Sequence, residues 1–222
     1  PAQIHDVKGA IRFLRANAPT FGLNPNRVGA WGTSAGGHLT ALLSTSGGVA
    51  AAEGATGGNA GFSSRIMAGV DYFGPTDILN LSLDYNPPQP GGPHDQPNSA
   101  ESRLIGFDGV GEGIGVLRDN QNNPNPPYPQ LMSLVNLVNP ITHVTRDDPA
   151  MYIAHGTADN TVPLGQSTRL ANALIPAEIP FTYTQVAGAR HGALGTATDT
   201  AARDFLARYL LAADGDANLD GA

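Results

Sequence analysis

Ser34 stands in Gly32-Thr33-Ser34-Ala35-Gly36, a Gly-x-Ser-x-Gly pattern with the apolar run Arg27 to Gly32 before it and the helix-forming run Ala35 to Leu43 after it. A serine on a sharp strand-to-helix turn has its Oγ lifted clear of the sheet edge. A side chain at position 32 or 36 is expected to collide with the tightly folded flanking chain. The helix that follows brings unpaired N–H groups and the positive end of its dipole to the same place, so the amide of Ala35 can serve an oxyanion. The bland alternative is that Ser34 is an ordinary helix N-cap.

A serine hydroxyl is nearly inert at neutral pH without a base and a group to orient that base. Six histidines compete: His5, His38, His94, His143, His155 and His191. His191, in Ala187-Gly188-Ala189-Arg190-His191-Gly192, falls between the last strand-like run and the last helix-like run, where a loop can drop an imidazole onto the end of a sheet. His38 suits a packing role, His155 suits shaping the neighbouring loop, and His94 and His143 fall in connectors where solvated or capping roles are the default. For the acid, Asp159 in Gly156-Thr157-Ala158-Asp159-Asn160 follows the preceding strand-like run and can hold an imidazole through its Nδ1–H. Asp77 is its rival, and an Asx-turn is the structural alternative.

The elements that must position these residues alternate. Residues 2–18 carry Ile4, Val7, Ala10, Ile11 and Leu14 at helical spacing. Strands are expected at 27–32, 65–73, 150–155 and 181–186, with helices at 35–43, 166–174 and 198–211. Strands alternating with helices imply a parallel sheet covered on both faces. Residues 47–61 read as a glycine/alanine-rich loop. Residues 84–130 hold most of the prolines and read as long loops with one short helix, whose Asn98 and Glu101 suggest a capping box; an insertion of this kind usually shapes a ligand site. Tyr72, Phe73 and Tyr128, with Thr33, are candidate substrate-binding walls, core packing being the plainer reading of the first two.

Composition narrows the partners. A net charge of −7 with no basic run excludes nucleic acid and an anionic membrane surface as expected partners. Charged residues make up only 14% of the chain, against about 25% in typical domains, and Gly and Pro are abundant. The absence of cysteine removes disulfides and thiolate chemistry. No apolar run is long enough for a membrane span.

With these residues in place the chain resembles the esterase/lipase branch of the α/β-hydrolases, above all the bifunctional feruloyl and acetyl-xylan esterase-like carboxylesterases. The resemblance is carried by RVGAWGTSAGGHLTALL (27–43), YFGPTD (72–77), ESRLIG (101–106), NPITHVTRDDPAMYIAHGTADNTVP (139–163) and GARHG (188–192). It implies an α/β-hydrolase domain over 1–212, with 84–130 as a cap or loop insertion. It also implies a serine hydrolase acting on small esters or acylated carbohydrate through an acyl-enzyme on Ser34, with His191 as proton shuttle, Asp159 as its partner, and no metal or organic cofactor. A noncatalytic remnant or binding module, and a serine peptidase on the same fold, stay open as alternatives.

Two departures from the family pattern raise further expectations. The His-Gly-Gly-Gly type loop that supplies a second oxyanion donor is not in the sequence, and Pro1 to Val7 resembles the helix just before the nucleophile strand. This implies an N-terminally truncated chain lacking its first strands, at a cost of roughly 3–4 kcal/mol in transition-state stabilisation and with an exposed sheet edge. At the other end, Asp216, Asn218, Asp220 and Gly221 match the start of a dockerin-like calcium loop within residues 213–222. That resemblance implies a secreted modular parent with a cohesin-type partner.

Overall fold

The computed structural model describes residues 1–211. The dockerin-like stretch therefore lies outside the described residues. The strands are β1 (Gly29–Thr33), β2 (Ala68–Tyr72), β3 (Ala150–Gly156) and β4 (Phe181–Val186). They form a parallel sheet in the order β1-β2-β3-β4, with Thr33 opposite Tyr72 and Tyr72 opposite Ala154. Helices α1 (Ala2–Ala16) and α2 (Ala18–Phe21) precede β1. The crossovers that parallel neighbours need run through α3 (Ala35–Thr45) and α4 (Ala50–Glu53) from β1 to β2, through α5 (Ala100–Ile105), α6 (Ile114–Asp119) and α7 (Tyr128–Val138) from β2 to β3, and through α8 (Gly165–Leu174) from β3 to β4, after which comes α9 (Thr196–Leu211). The helix and strand ends differ from the sequence expectation by a few residues, as is usual where ends fray.

Strand alternation decides which side chains meet which helix layer. Met151 and Ile153 pack with Leu170 and Leu174 of α8 and Ala41 of α3 on one face. Tyr152 and Ala154, with Val70 and Tyr72, pack against Ala202 and Phe205 of α9 on the other. α1 lies behind α3, its Ile4 and Ile11 meeting Leu42 and Leu43. Helices on both faces of a parallel sheet are the layers that the expected α/β-hydrolase fold requires. Among the described residues, no helix is long and apolar enough to cross a membrane.

The proline-rich segment is more ordered than a reading as long loops suggests. Ile78, Ile105, Ile114, Leu117, Leu131 and Val135 form a buried cluster of their own, so α5, α6 and α7 build a compact body beside the sheet. The apolar residues responsible are spread over short helices separated by glycine-rich and proline-rich turns, which hides their period. The helix cap in this segment is also different: Ser99 caps α5, its Oγ accepting the N–H of Ser102. Asn98 is exposed, and Glu101 turns away to His94.

Candidate active site

The turn after β1 places Ser34 at φ 55°, ψ −122°, a strained conformation for a residue with a side chain. It is held there by two backbone bonds: the N–H of Ser34 donates to Tyr72 O at 2.9 Å, and the N–H of His38 donates to Ser34 O at 2.9 Å. The neighbouring glycines have unequal reasons. A Cβ on Gly32 would lie 2.0 Å from Gly36 O, so only glycine fits. A Cβ on Gly36 would meet nothing within 4 Å, which corrects the expected collision there. Gly37 is the second obligatory glycine, because its Cβ would fall 2.4 Å from Asp71 Oδ1 and 2.8 Å from Tyr72 O. Helix α3 therefore presses onto β2 through Gly37.

Although Ser34 occupies the N-cap position of α3, its side chain makes no capping bond. The hydroxyl turns instead to His191, with Oγ 2.9 Å from Nε2. On the other side of the ring, Nδ1 lies 2.7 Å from Asp159 Oδ2. With Nδ1 protonated and donating to the carboxylate, Nε2 is free to accept the serine proton. The structure thus brings together Ser34, Asp159 and His191. Asp77 is elsewhere, bonded to Asn80 and Asn139 and paired with Arg169.

The two loops that carry the imidazole and its carboxylate are tied to each other. The N–H of Ala158 donates to Ala189 O at 2.9 Å, and the N–H of Gly188 donates to Thr157 Oγ1 at 2.9 Å. Gly156 allows this approach, since a Cβ there would sit 2.3 Å from Ala189 O. Asp159 Oδ1 accepts the N–H groups of Thr161 and Val162 at 2.8 and 3.0 Å. Its Oδ2 also lies 3.4 Å from Nε2 of the buried His155. Burial alone would raise the pKa of this carboxyl, but the bonds from His155, His191 and the two amides outweigh it and hold the pKa at about 2. Asp159 is a fixed negative charge.

A cavity of about 580 Å³ opens over the site, lined by Thr33, Ser34, Tyr72, Phe73, His191 and Arg203, among others. Thr33 is at its exposed rim, while Tyr72 and Phe73 form a buried floor that also belongs to the core. The Phe73 ring stands 4.7 Å from that of His191 at 61°, an edge contact that limits how the imidazole can swing. Tyr72 donates its hydroxyl to Asp199 Oδ1. Tyr128 is not a wall of this cavity: it packs edge-on against Phe107 on the separate cluster of the proline-rich segment. At the sequence level it looked like any aromatic in a loop, and only the packing of α7 reveals its direction.

A second, mainly apolar cavity of about 270 Å³ flanks the start of α3, with Ala35, His38, Leu39, Ile78, Glu101 and Leu104 in its wall. Ala35 is exposed, so its amide, at the first turn of an eleven-residue helix, is available to an oxygen bound beside Ser34. His38 Nδ1 donates to Pro75 O at 2.8 Å and is buried, and burial pushes its pKa down. Its place is in the packing around α3. His94, expected to be solvated, is instead half-buried in a polar cluster with Tyr85, Glu101 and the Thr161 carbonyl.

Comparison with known proteins places these features in context. The family model BD-FAE matches residues 1–174. The chain is 27% identical over 195 residues to esterase LipQ of Mycobacterium tuberculosis, covering 86% of this chain and 38% of that protein. Among solved structures it is similar to a truncated form of a carbohydrate esterase from gut microbiota, at 33% identity and a TM-score of 0.78, covering 96% of this chain and 70% of that one. It is also similar to a bifunctional GH43-CE protein of Bacteroides eggerthii, at 34% identity and a TM-score of 0.76, covering 95% of this chain and 25% of that one. The chain thus spans about two fifths of the mycobacterial esterase it matches.

Proposed function

The chain belongs to the BD-FAE family, and from that premise we propose that it is a serine carboxylic-ester hydrolase, its substrates being acetyl or feruloyl esters of plant polysaccharide or similar small esters. The observation that carries the reading is the continuous chain of hydrogen bonds from Ser34 Oγ through His191 to a permanently ionised Asp159. The names of the two structural neighbours support acylated carbohydrate as the substrate class. A polymeric substrate in turn fits a secreted enzyme.

In this mechanism Ser34 Oγ attacks the ester carbonyl while His191 Nε2 takes the hydroxyl proton. Asp159, bonded to Nδ1, stabilises the imidazolium that forms. The carbonyl oxygen becomes negative and is met by the N–H of Ala35 at the positive end of α3. As the C–O bond to the alcohol breaks, His191 returns its proton to the leaving oxygen. Water then repeats the sequence on the acyl-enzyme, giving up a proton to His191, releasing the acid and restoring Ser34. The apolar cavity beside Ala35 receives the acyl group, and the open cavity over His191 receives the alcohol.

The test is hydrolysis of short-chain p-nitrophenyl esters by the chain and by Ser34→Ala, with an aminoacyl anilide alongside. Turnover that falls in the variant by a factor on the order of 10⁶ is expected, as for loss of a serine nucleophile elsewhere. Folded wild-type protein without turnover would overturn the proposal, and anilide cleavage rivalling ester cleavage would replace it with a peptidase.

A further inference from the structure

The loop that carries Asp159 is gripped from outside by the proline-rich segment. Tyr85 Oη lies 2.7 Å from Thr161 O and 3.1 Å from His94 Nε2. His94 Nε2 lies 2.8 Å from the same Thr161 O, and His94 Nδ1 lies 3.1 Å from Glu101 Oε1. Glu101 is buried, and its other oxygen has no partner. Thr161 in turn donates its N–H to Asp159 Oδ1 at 2.8 Å. One residue therefore links the outer cluster to the carboxylate that holds His191.

Counting protons fixes the state of this cluster. A carbonyl oxygen and a carboxylate can only accept, and they face the two nitrogens of one imidazole. A neutral ring must put a lone pair against one of them: against Thr161 O if Nδ1 carries the hydrogen, against Glu101 if Nε2 does. Tyr85 has a single hydrogen and cannot repair both faults, because turning it to Nε2 takes it from Thr161 O. A doubly protonated His94 satisfies every contact at once, and the proton stays on the ring because a carboxyl is the stronger acid.

We infer that His94, Glu101 and Tyr85 form a positioning latch on the acid loop, in which an imidazolium on His94 joins Glu101 to the Thr161 carbonyl and releases that loop when it loses its proton. The charged and titratable groups facing His94 are few. Glu101 lies on α5, and Asp95 adjoins His94 but is tied up in a two-bond fork with Arg118 of α6 at 2.8 and 2.6 Å. On the acid-loop side stand Tyr85 and, behind it, Asp159. Burial works against a charge on His94, yet the bond and attraction from Glu101, the Thr161 carbonyl and Asp95 outweigh it and raise its pKa above 6.5. A raised value means the latch is complete below the ordinary histidine range and is lost as pH rises through the higher folded-state value. Tyr85, pushed up to about 12 mainly by burial, keeps its hydrogen throughout.

The latch builds on the ester-hydrolase reading only for its kinetic consequences, so the first measurement is independent of activity. Long-range ¹H–¹⁵N correlation spectra of the wild-type chain at about pH 5.5, one unit below the free histidine value, are expected to show both nitrogens of His94 protonated, with a titration midpoint above the free value. A neutral tautomer at that pH overturns the latch whether or not the chain hydrolyses esters. The second measurement is the pH profile of kcat. His94→Ala should lower kcat by on the order of 10- to 100-fold with little change in KM, as for a displaced catalytic group. His94→Gln, whose amide can still donate to Thr161 O but does not titrate, should recover much of that loss and abolish the alkaline limb. An alkaline limb unchanged in His94→Gln, or an unaltered kcat in His94→Ala, would count decisively against it.

Discussion

Asp159 has a fully buried side chain, while His191, 2.7 Å away, keeps 22% of its side chain exposed. The carboxylate is thus walled off from water and the imidazole is left reachable by a substrate. This division of labour makes the Asp159→Asn variant informative. An amide in that place can present its N–H₂ to Nδ1 and turn the ring to the tautomer that donates rather than accepts at Ser34. We expect kcat to fall by about 10⁴, the size of effect seen when this step is broken in serine hydrolases, with the fold retained by circular dichroism. Because Asp159 is held at about 2 in the folded chain against 3.8 unperturbed, its charge contributes stability above the unperturbed value. That contribution is lost as pH falls through about 2, so the wild type should show an acid-dependent loss of stability that Asp159→Asn lacks.

The glycines around Ser34 make opposite predictions. Gly32→Ala forces a Cβ to within 2.0 Å of Gly36 O, and Gly37→Ala forces one to within 2.4 Å of Asp71 Oδ1. Each must displace backbone, and we expect each to cost about 2–4 kcal/mol, in the range of severe overpacking. Gly36→Ala meets open space and replaces glycine in the first turn of a helix, so its effect should lie within about 1 kcal/mol of zero or be stabilising. Urea midpoints for the three variants separate these outcomes; equal losses at all three positions would contradict the geometry.

Much of this arrangement could be read from the chain alone. The central strands β2 and β3 are legible because a fully buried parallel strand is a short apolar run, while the part-exposed outer strands β1 and β4 are marked by β-prone runs that end in a turn before a helix-forming stretch. Since parallel strands all end on one edge, loops after three of them carry Ser34, Asp159 and His191 to a common place. Hidden from the sequence was anything decided by packing between distant segments. Gly36 and Gly37 are indistinguishable as letters, and only the approach of α3 to Asp71 tells them apart. Asn98 and Ser99 are both good caps, and the geometry of α5 selects Ser99. His94 meets Thr161 across 67 residues, a pairing with no local signature.

Asp71 lies on β2 under the elbow, wholly buried, with Oδ1 accepting the Gly74 N–H and Oδ2 unpartnered. Burial raises its pKa to about 6, the Gly74 bond and the nearby His155 offsetting only part of the rise. For an acid whose folded value is raised, ionisation is penalised in the folded state. Stability is therefore lost as pH climbs from the unperturbed 3.8 and levels off above about 6, a difference of up to about 3 kcal/mol by linkage. Asp71→Asn removes the titration and keeps an acceptor for Gly74. Its stability relative to wild type should improve between acid and neutral pH in denaturant titrations; a difference independent of pH would contradict a buried titrating Asp71.

The helix behind the elbow is anchored by charge as well as by apolar packing. Lys8 and Arg12 of α1 are almost completely buried, and both reach Glu53 at the end of α4. Arg12 also donates to the carbonyls of Glu53, Thr56 and Gly58, whereas Lys8 has Ser46 O besides the carboxylate. The two cations are thus unequally dependent on Glu53. Burial lowers the pKa of Lys8, with Glu53 pulling the other way, so its charge is retained at a cost. Removing one partner of a buried pair leaves the other uncompensated, typically at about 3–5 kcal/mol, while replacing the costly charge with an apolar chain is often nearly neutral. Glu53 is about one third exposed, which lets water soften its loss. We therefore expect Glu53→Gln to cost about 2–3 kcal/mol, at or just below the bottom of that range, and Lys8→Met to cost less than about 1 kcal/mol. In Lys8→Met the carboxylate still holds Arg12 and accepts from Ser64 Oγ at 2.7 Å. Denaturant midpoints of the two variants give the comparison directly, and a larger loss in Lys8→Met than in Glu53→Gln would mean that the lysine, not the shared carboxylate, is what fixes α1 behind α3.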